Sequence, residues 1–139
     1  MKKITRLFRR PCSFKQEEHL QKMDFFPKKS ILLAEDNPLI IRAINKLLEP
    51  RGYRVTAVED GVKALDYLKS YTCDWALLDI VLPEVDGIDL VKYYRNWEKE
   101  MNKPYVPIFG LTGYPFKKME HICKEAGIDS MTSEPLKIF

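Results

Sequence analysis

Apolar residues fall along this chain in two rhythms, and the alternation between them sets out a series of short elements. Residues 31–34 (ILLA) and 75–78 (WALL) are unbroken apolar runs. With no polar alternation, such runs suit strands buried on both faces, as in a parallel sheet. Residues 53–58 (YRVTAV) alternate and are rich in β-formers, 106–112 (VPIFGLT) form a further apolar stretch, and 130–132 (SMT) a short last one; all three read as strands. Pro107 belongs at the start of its strand, where a missing donor is tolerated. Between these runs the apolar residues recur at helical spacing. Asn37-Pro38 caps and opens a helix with Leu39/Ile40, Ala43/Ile44 and Leu47/Leu48, which Pro50 and Gly52 stop. Asp60-Gly61 turns into a helix with Val62, Leu65 and Leu68 on one face. A third helix covers 88–98 with Leu90, Val91, Tyr94 and Trp97, and a fourth covers 116–126, closed by Gly127. Strands alternating with helices in this order predict an α/β fold with a doubly wound, five-stranded parallel sheet.

Three of these strands end in polar groups. Glu35-Asp36 follows the first, Asp79 the third and Thr112 the fourth. After Asp79, Pro83 bars simple extension of the strand and Asp86-Gly87 supplies a turn. In open α/β sheets the carboxyl ends of the strands are where ligands bind. Each residue also has a plain structural role open to it: Glu35-Asp36 beside a helix start, Asp79 as a solvated strand end, Thr112 as a hydroxyl bonded to backbone. Together Glu35, Asp36 and Asp79 form a set of acids that repel one another unless a cation sits among them. Oxygen donors without His or Cys favour a hard ion, Mg²⁺ above all. A carboxylate beside such an ion can act as nucleophile towards a phosphoryl group, with the Thr112 hydroxyl donating to a phosphoryl oxygen.

Composition narrows the classes. The 139 residues are 45% hydrophobic and 31% charged, which fits one globular domain with a single core. No apolar run reaches the roughly 20 residues that span a bilayer. The start MKKITRLFRRP has basic residues but no apolar segment behind it, against an export signal. Cys12, Cys73 and Cys123 are widely spaced and form no CxxC pair, as expected of reduced thiols in the cytoplasm. The net charge of +3 is uneven: residues 1–30 carry +6, and 31–139 carry −3. Residues 1–29 therefore read as a basic extension or linker, with a thin helical stripe at 14–23, and residues 30–139 as the organised domain. A basic arm can touch nucleic acid or anionic lipid, but no recognition motif accompanies it, and a solvated tether is the expectation.

The segments ILLAEDNPLI, LLDIVLPEVDG and GLTGY, taken together, resemble the receiver domain of two-component response regulators over about residues 30–137. In LLDIVLPEVDG, Pro83 stands four and Gly87 eight residues past the acid. The resemblance implies a flavodoxin-like receiver fold and a role for each matched residue. Asp79 would accept a phosphoryl group from a partner kinase's histidine. Asp36 would ligate Mg²⁺ directly, Glu35 through water, and the Val81 backbone carbonyl would join Asp79 in completing the ligands. Thr112 would carry the switch. The implied partners are a histidine kinase or a phosphotransfer protein and a downstream protein, with no nucleic acid.

Two positions depart from the family's pattern. Glu134, before Pro135, stands where the family has a lysine that pairs with the acceptor acid and then with the phosphoryl group. Met131 stands where the family usually has an aromatic that turns inward with the switch threonine. A flexible methionine can fill that slot but has no hydroxyl. Both departures bear on the switch more than on the fold, and they support an alternative: a degenerate receiver, acting as a phosphorylation-independent interaction module. A third possibility, an aspartate-nucleophile phosphohydrolase, wants an acid two residues past the nucleophile, where Val81 stands; no enzyme activity on a foreign substrate is expected. The fold also calls for a fifth helix after the last strand, which the chain cuts short at Phe139. The cover for that sheet face would come from residues 14–23, from further sequence, or from self-association.

Overall fold

The computed structural model describes residues 29–112 and 117–133, with the backbone alone at Lys117, Lys118 and Ser133. The expectations for residues 14–23, Gly113, Glu134, Pro135 and a final helix lie outside this range. In chain order the elements are β1 (Lys29–Ala34), α1 (Pro38–Leu48), a 3-10 turn (Glu49–Arg51), β2 (Tyr53–Val58), α2 (Gly61–Ser70), β3 (Trp75–Asp79), α3 (Gly87–Glu100), β4 (Ile108–Thr112), α4 (Lys117–Ala126) and β5 (Ser130–Ser133). The five strands form one parallel sheet in the order β2-β1-β3-β4-β5. This is the predicted doubly wound architecture.

The unbroken apolar runs do lie in the middle of the sheet. Ile31, Leu32, Leu33 and Ala34 are fully buried, and so are Ala76, Leu77 and Leu78. Side chains alternate between the two faces of a strand. Leu32, Ala34, Ala76 and Leu78 therefore join the layer under α2, α3 and α4, with Ala64, Leu68, Leu90, Val91, Tyr94 and Cys123. Ile31, Leu33, Trp75 and Leu77 join the opposite layer, with Ile44 and Leu48 of α1. There Trp75 meets Tyr53 and Phe109 edge-on, at centroid distances of 6.1 and 5.5 Å.

Helix starts follow local chemistry. The Asn37 side chain accepts from the Leu39 amide at 2.9 Å, with Pro38 first in the helix. Asp60 accepts from Lys63 at 2.8 Å, and Asp86 from Ile88 at 3.4 Å. Each satisfies a donor that the first helical turn leaves open.

Several expectations need correction. Val62 is 44% exposed and does not share a face with Leu68; Gly61 and Ala64 take the inner positions instead. Ala43 and Leu39 are exposed, since Ile40, Ile41 and Ile44 are the residues that meet the sheet. β4 begins at Ile108 rather than at 106, because the Val106 amide is taken by the Glu98 carboxylate. α3 extends over Gly87–Glu100, two residues beyond the expected end.

That carboxylate belongs to a charged brace across the amino edge of the sheet. Arg95 Nη1 donates to both oxygens of Glu98 at 3.0 and 3.2 Å, Nη2 to Asp129 at 3.1 Å, and Nε to the Gly127 carbonyl at 3.0 Å. Asp129 also accepts from the Ile108 amide at 2.8 Å and from the Tyr105 hydroxyl at 2.6 Å. Arg95 and Glu98 are buried. Gly127 has φ +109°, and a Cβ there would lie 2.7 Å from Arg95 Cγ, so a side chain is excluded on both counts.

Removing one partner of a buried charge set strands the others. Arg95→Ala is expected to lower the free energy of unfolding by about 3–5 kcal/mol in urea titrations. Tyr94, 2% exposed, gives a pH signature. Burial, and next the Glu98 carboxylate, push its phenol up to about 12. A folded-state pKa above the ordinary 10.0 adds stability that is complete below the unfolded value and is lost as pH rises through the folded one. In unfolding titrations, Tyr94→Phe should show a shallower loss of stability than wild type between about pH 10 and 12.

Candidate functional site

At the carboxyl edge, β1 and β3 run side by side, with Ala34 paired to Leu78. The next residue on each chain is an acid, and Asp36 follows Glu35. One carboxylate oxygen from each of Glu35, Asp36 and Asp79 lies within 4.8 Å of the others. The three environments differ. Glu35 is 1% exposed, Asp79 is half-buried and Asp36 is exposed. The Glu35 amide donates to the Val58 carbonyl at 3.0 Å, extending the β1–β2 ladder by one residue. Its carboxylate accepts from the Asn37 amide at 3.2 Å, just ahead of α1.

Asp79 Oδ1 accepts from the Val81 amide at 3.0 Å, so the residue two positions on orients the carboxylate it follows. The Val81 side chain is 61% exposed. Between them, Ile80 donates to the Leu111 carbonyl at 3.0 Å and keeps the chain on β4. The turn then closes through Gly87, whose amide donates to the Ile80 carbonyl at 3.0 Å. A Cβ on Gly87 would stand 2.7 Å from the Ile80 carbonyl oxygen and 2.9 Å from that of Asp79. The close approach of backbone to backbone therefore demands glycine eight residues past the acid.

Thr112 is 1% exposed at the end of β4, one register step beyond the Asp79–Leu111 pair. Met131, opposite Gly110, is buried in the core beneath the edge. The space where a Gly110 side chain would begin belongs to Met131: a Cβ there would fall 2.5 Å from its Sδ and 2.9 Å from Ile80 Cδ1. Glu134 lies outside the described residues. The fold thus brings Glu35, Asp36, Asp79 and the Val81 amide together, sets Thr112 on the neighbouring strand, and keeps Met131 a layer below.

The donor set is three carboxylates with neither His nor Cys. Hard oxygen donors of this kind fit a hard divalent cation such as Mg²⁺. Leu39, Val62 and Val81 put exposed aliphatic side chains at the starts of α1 and α2 and after β3, around the same edge.

The sequence model of the response regulator receiver domain matches residues 31–138. The chain belongs to the receiver domain family. Relatives and solved structures agree with the assignment. The polar-differentiation response regulator DivK of Brucella ovis is 29% identical over 110 residues, covering 79% of this chain and 87% of the relative. The receiver domain of sensor histidine kinase PA1611 from Pseudomonas aeruginosa, solved with magnesium in its active-site cleft, is 33% identical with a TM-score of 0.69. The alignment covers 80% of this chain and 88% of that one. A Francisella receiver domain is 25% identical with a TM-score of 0.70, over 80% and 88% of the two chains.

Sequence reasoning missed one element of this receiver's site, the fit between the loop after β3 and the first turn of α2. The Gly61 amide donates to the Pro83 carbonyl at 3.1 Å. Asp60-Gly61 reads in sequence as a turn alone, and nothing in its spacing points to a segment more than twenty residues away.

Clustered carboxylates repel when no cation is bound. Asp36→Asn should therefore raise the unfolding free energy by on the order of 1 kcal/mol in EDTA, the effect being small because Asp36 is exposed. Urea titration in EDTA with and without added salt checks this, since salt should shrink the difference.

Proposed function

We propose that this chain is a phosphoacceptor receiver in two-component signal transduction. Asp79 takes a phosphoryl group from a histidine of a kinase or phosphotransfer protein, with Mg²⁺ held by Glu35, Asp36, Asp79 and the Val81 carbonyl. The observation that carries the reading is the convergence of three carboxylates within 4.8 Å on one sheet edge of a receiver-family chain.

An oxygen of Asp79 attacks phosphorus, and the phosphorus–nitrogen bond to the donor imidazole breaks with its electron pair passing to nitrogen. The product is an acyl phosphate on Asp79. The Val81 amide, 3.0 Å from Oδ1, orients the Asp79 carboxylate for the attack. Bound Mg²⁺ supplies positive charge against the repulsion between these carboxylates and the incoming phosphoryl group. The Thr112 hydroxyl donates to a phosphoryl oxygen and carries the response to β4. The aliphatic rim of Leu39, Val62 and Val81 suits a protein donor better than a small polar one. With a valine two residues past the nucleophile, no side chain is placed there for acid–base turnover of another substrate. Residues 1–29 serve as a basic tether to a receiver spanning 30–139, working in the cytoplasm.

A second reading rests on Glu134 and Met131. A carboxylate in the family's lysine position adds repulsion where a phosphoryl group would bring more, and favours a degenerate receiver that binds its partner unphosphorylated.

Intact-mass spectrometry after incubation with acetyl phosphate and Mg²⁺ tests the choice. Wild type is expected to gain one phosphoryl adduct, lost in EDTA and in Asp79→Asn. Absence of the adduct in wild type, with its appearance in Glu134→Lys, would sink the phosphoacceptor reading and leave the interaction module.

A further inference from the structure

The loop between β3 and α3 carries the Val81 amide that bonds Asp79, and its shape rests on contacts from α2 as well as on its own. Pro83 has no donor, and Glu84 sits at φ +72°, a left-handed conformation that costs an L residue free energy. A conformation of this kind persists only where its surroundings impose it. At its base the loop is held by Gly87 against the backbone of Asp79 and Ile80. Its tip is held both from α2 and from within. The Gly61 amide donates to the Pro83 carbonyl at 3.1 Å, and the Val85 amide donates to that same carbonyl at 2.9 Å. Gly61 also lies directly against Val85. A Cβ on Gly61 would stand 2.6 Å from the Val85 carbonyl oxygen, 2.8 Å from Val85 Cβ and 3.2 Å from Val85 Cα. Two of these are backbone atoms, which cannot swing aside as the end of a flexible side chain can.

Gly61 is buried at the first position of α2, behind the Asp60 cap. Its backbone does not require glycine, because it is an ordinary helical start and not a left-handed turn. Steric room for the loop is what requires it. We propose that Gly61 is a positioning residue for the phosphoacceptor site: the bare first turn of α2 is the seat on which the β3–α3 loop rests, and through Val81 it sets the Asp79 carboxylate and the metal-binding carbonyl. The proposal rests on the reading of Asp79 and Val81 given above. The path is short: a hydrogen bond and close packing carry it from Gly61 to Pro83 and Val85, the backbone carries it back to Val81, and a 3.0 Å hydrogen bond carries it to Asp79.

The test is Gly61→Ala in the full chain, with Ser70→Ala, exposed at the far end of α2, as a control on the same helix. Ala suits a helix better than Gly, so a purely local effect would leave the thermal midpoint unchanged or raise it. In the metal-free, ¹⁵N-labelled protein, Gly61→Ala should displace the amide signals of Val81, Leu82, Glu84 and Val85. By calorimetric titration it should weaken Mg²⁺ binding about tenfold or more, the usual loss when support behind a metal ligand is removed. Ser70→Ala should do neither. Unmoved loop amides, or Mg²⁺ affinity equal to wild type, would overturn the proposal. If wild type itself binds no Mg²⁺, the proposed function loses its metal, while the metal-free amide signals still decide for or against Gly61. Should Gly61→Ala not fold, Gly61→Ala/Val85→Gly relieves the 2.8 Å contact with Val85 Cβ, keeps the 2.6 Å one with the carbonyl oxygen, and carries the same comparison.

Discussion

β1 and β3 lie next to each other in the middle of the sheet, and neither has a face that meets water. Every side chain from Ile31 to Ala34 and from Trp75 to Leu78 is buried, so a charged group can first be tolerated where these strands run out. Their parallel register, with Ala34 opposite Leu78, makes them run out at the same level. Glu35 and Asp79 are adjacent for that reason, and Asp36 follows one residue on. The acidic cluster is thus a consequence of strand burial and register, with the loops adding the finer geometry. Backbone does the rest: the Asn37 amide holds Glu35, and the Val81 amide holds Asp79.

The same burial explains how much of the molecule is readable from sequence. Runs such as ILLA and WALL have few other uses in a chain of this size, so β1, β3 and the acids that end them are legible, and Tyr53–Val58 is legible from its alternation. Helix faces are less so. Val62, Leu65 and Leu68 make a plausible apolar stripe, but the sheet selects Ala64 and Leu68, and Val62 is left at the edge. Periodicity registers how apolar a residue is, and it gives no weight to the small residues that allow a helix to come close. Gly61 fails to stand out on the same ground: its importance lies in the atoms of Val85, a separation that no local pattern encodes.

The charged brace was illegible for a related reason. Arg95 and Glu98 sit three apart on a helix, a spacing that on most helices marks an exposed pair worth a few tenths of a kcal/mol. Here they are buried, because the α4–β5 turn closes over them through Gly127 and Asp129. Only the tertiary contact turns a surface pattern into an interior one. The start of β4 shifts with it, since the Val106 amide goes to Glu98 instead of to a neighbouring strand.

The two ends of the sheet therefore solve opposite electrostatic problems. At the amino edge, Arg95 faces Glu98 and Asp129 with nearly all of its donors bonded, and each acid accepts a backbone amide as well. Charge there is neutralised within the chain, and the β4 and β5 starts are fixed. At the carboxyl edge, one oxygen from each of three carboxylates lies within 4.8 Å of the others. A cluster of like charges at this spacing, together with a left-handed Glu84, raises the energy of the folded state locally. Such a cost is borne only if the rest of the structure over-determines the fold. The brace at one end, the two-sided core and the glycine contacts at Gly61 and Gly87 supply that over-determination, and they hold the acids at the other end together as an oxygen-donor set that suits a hard cation.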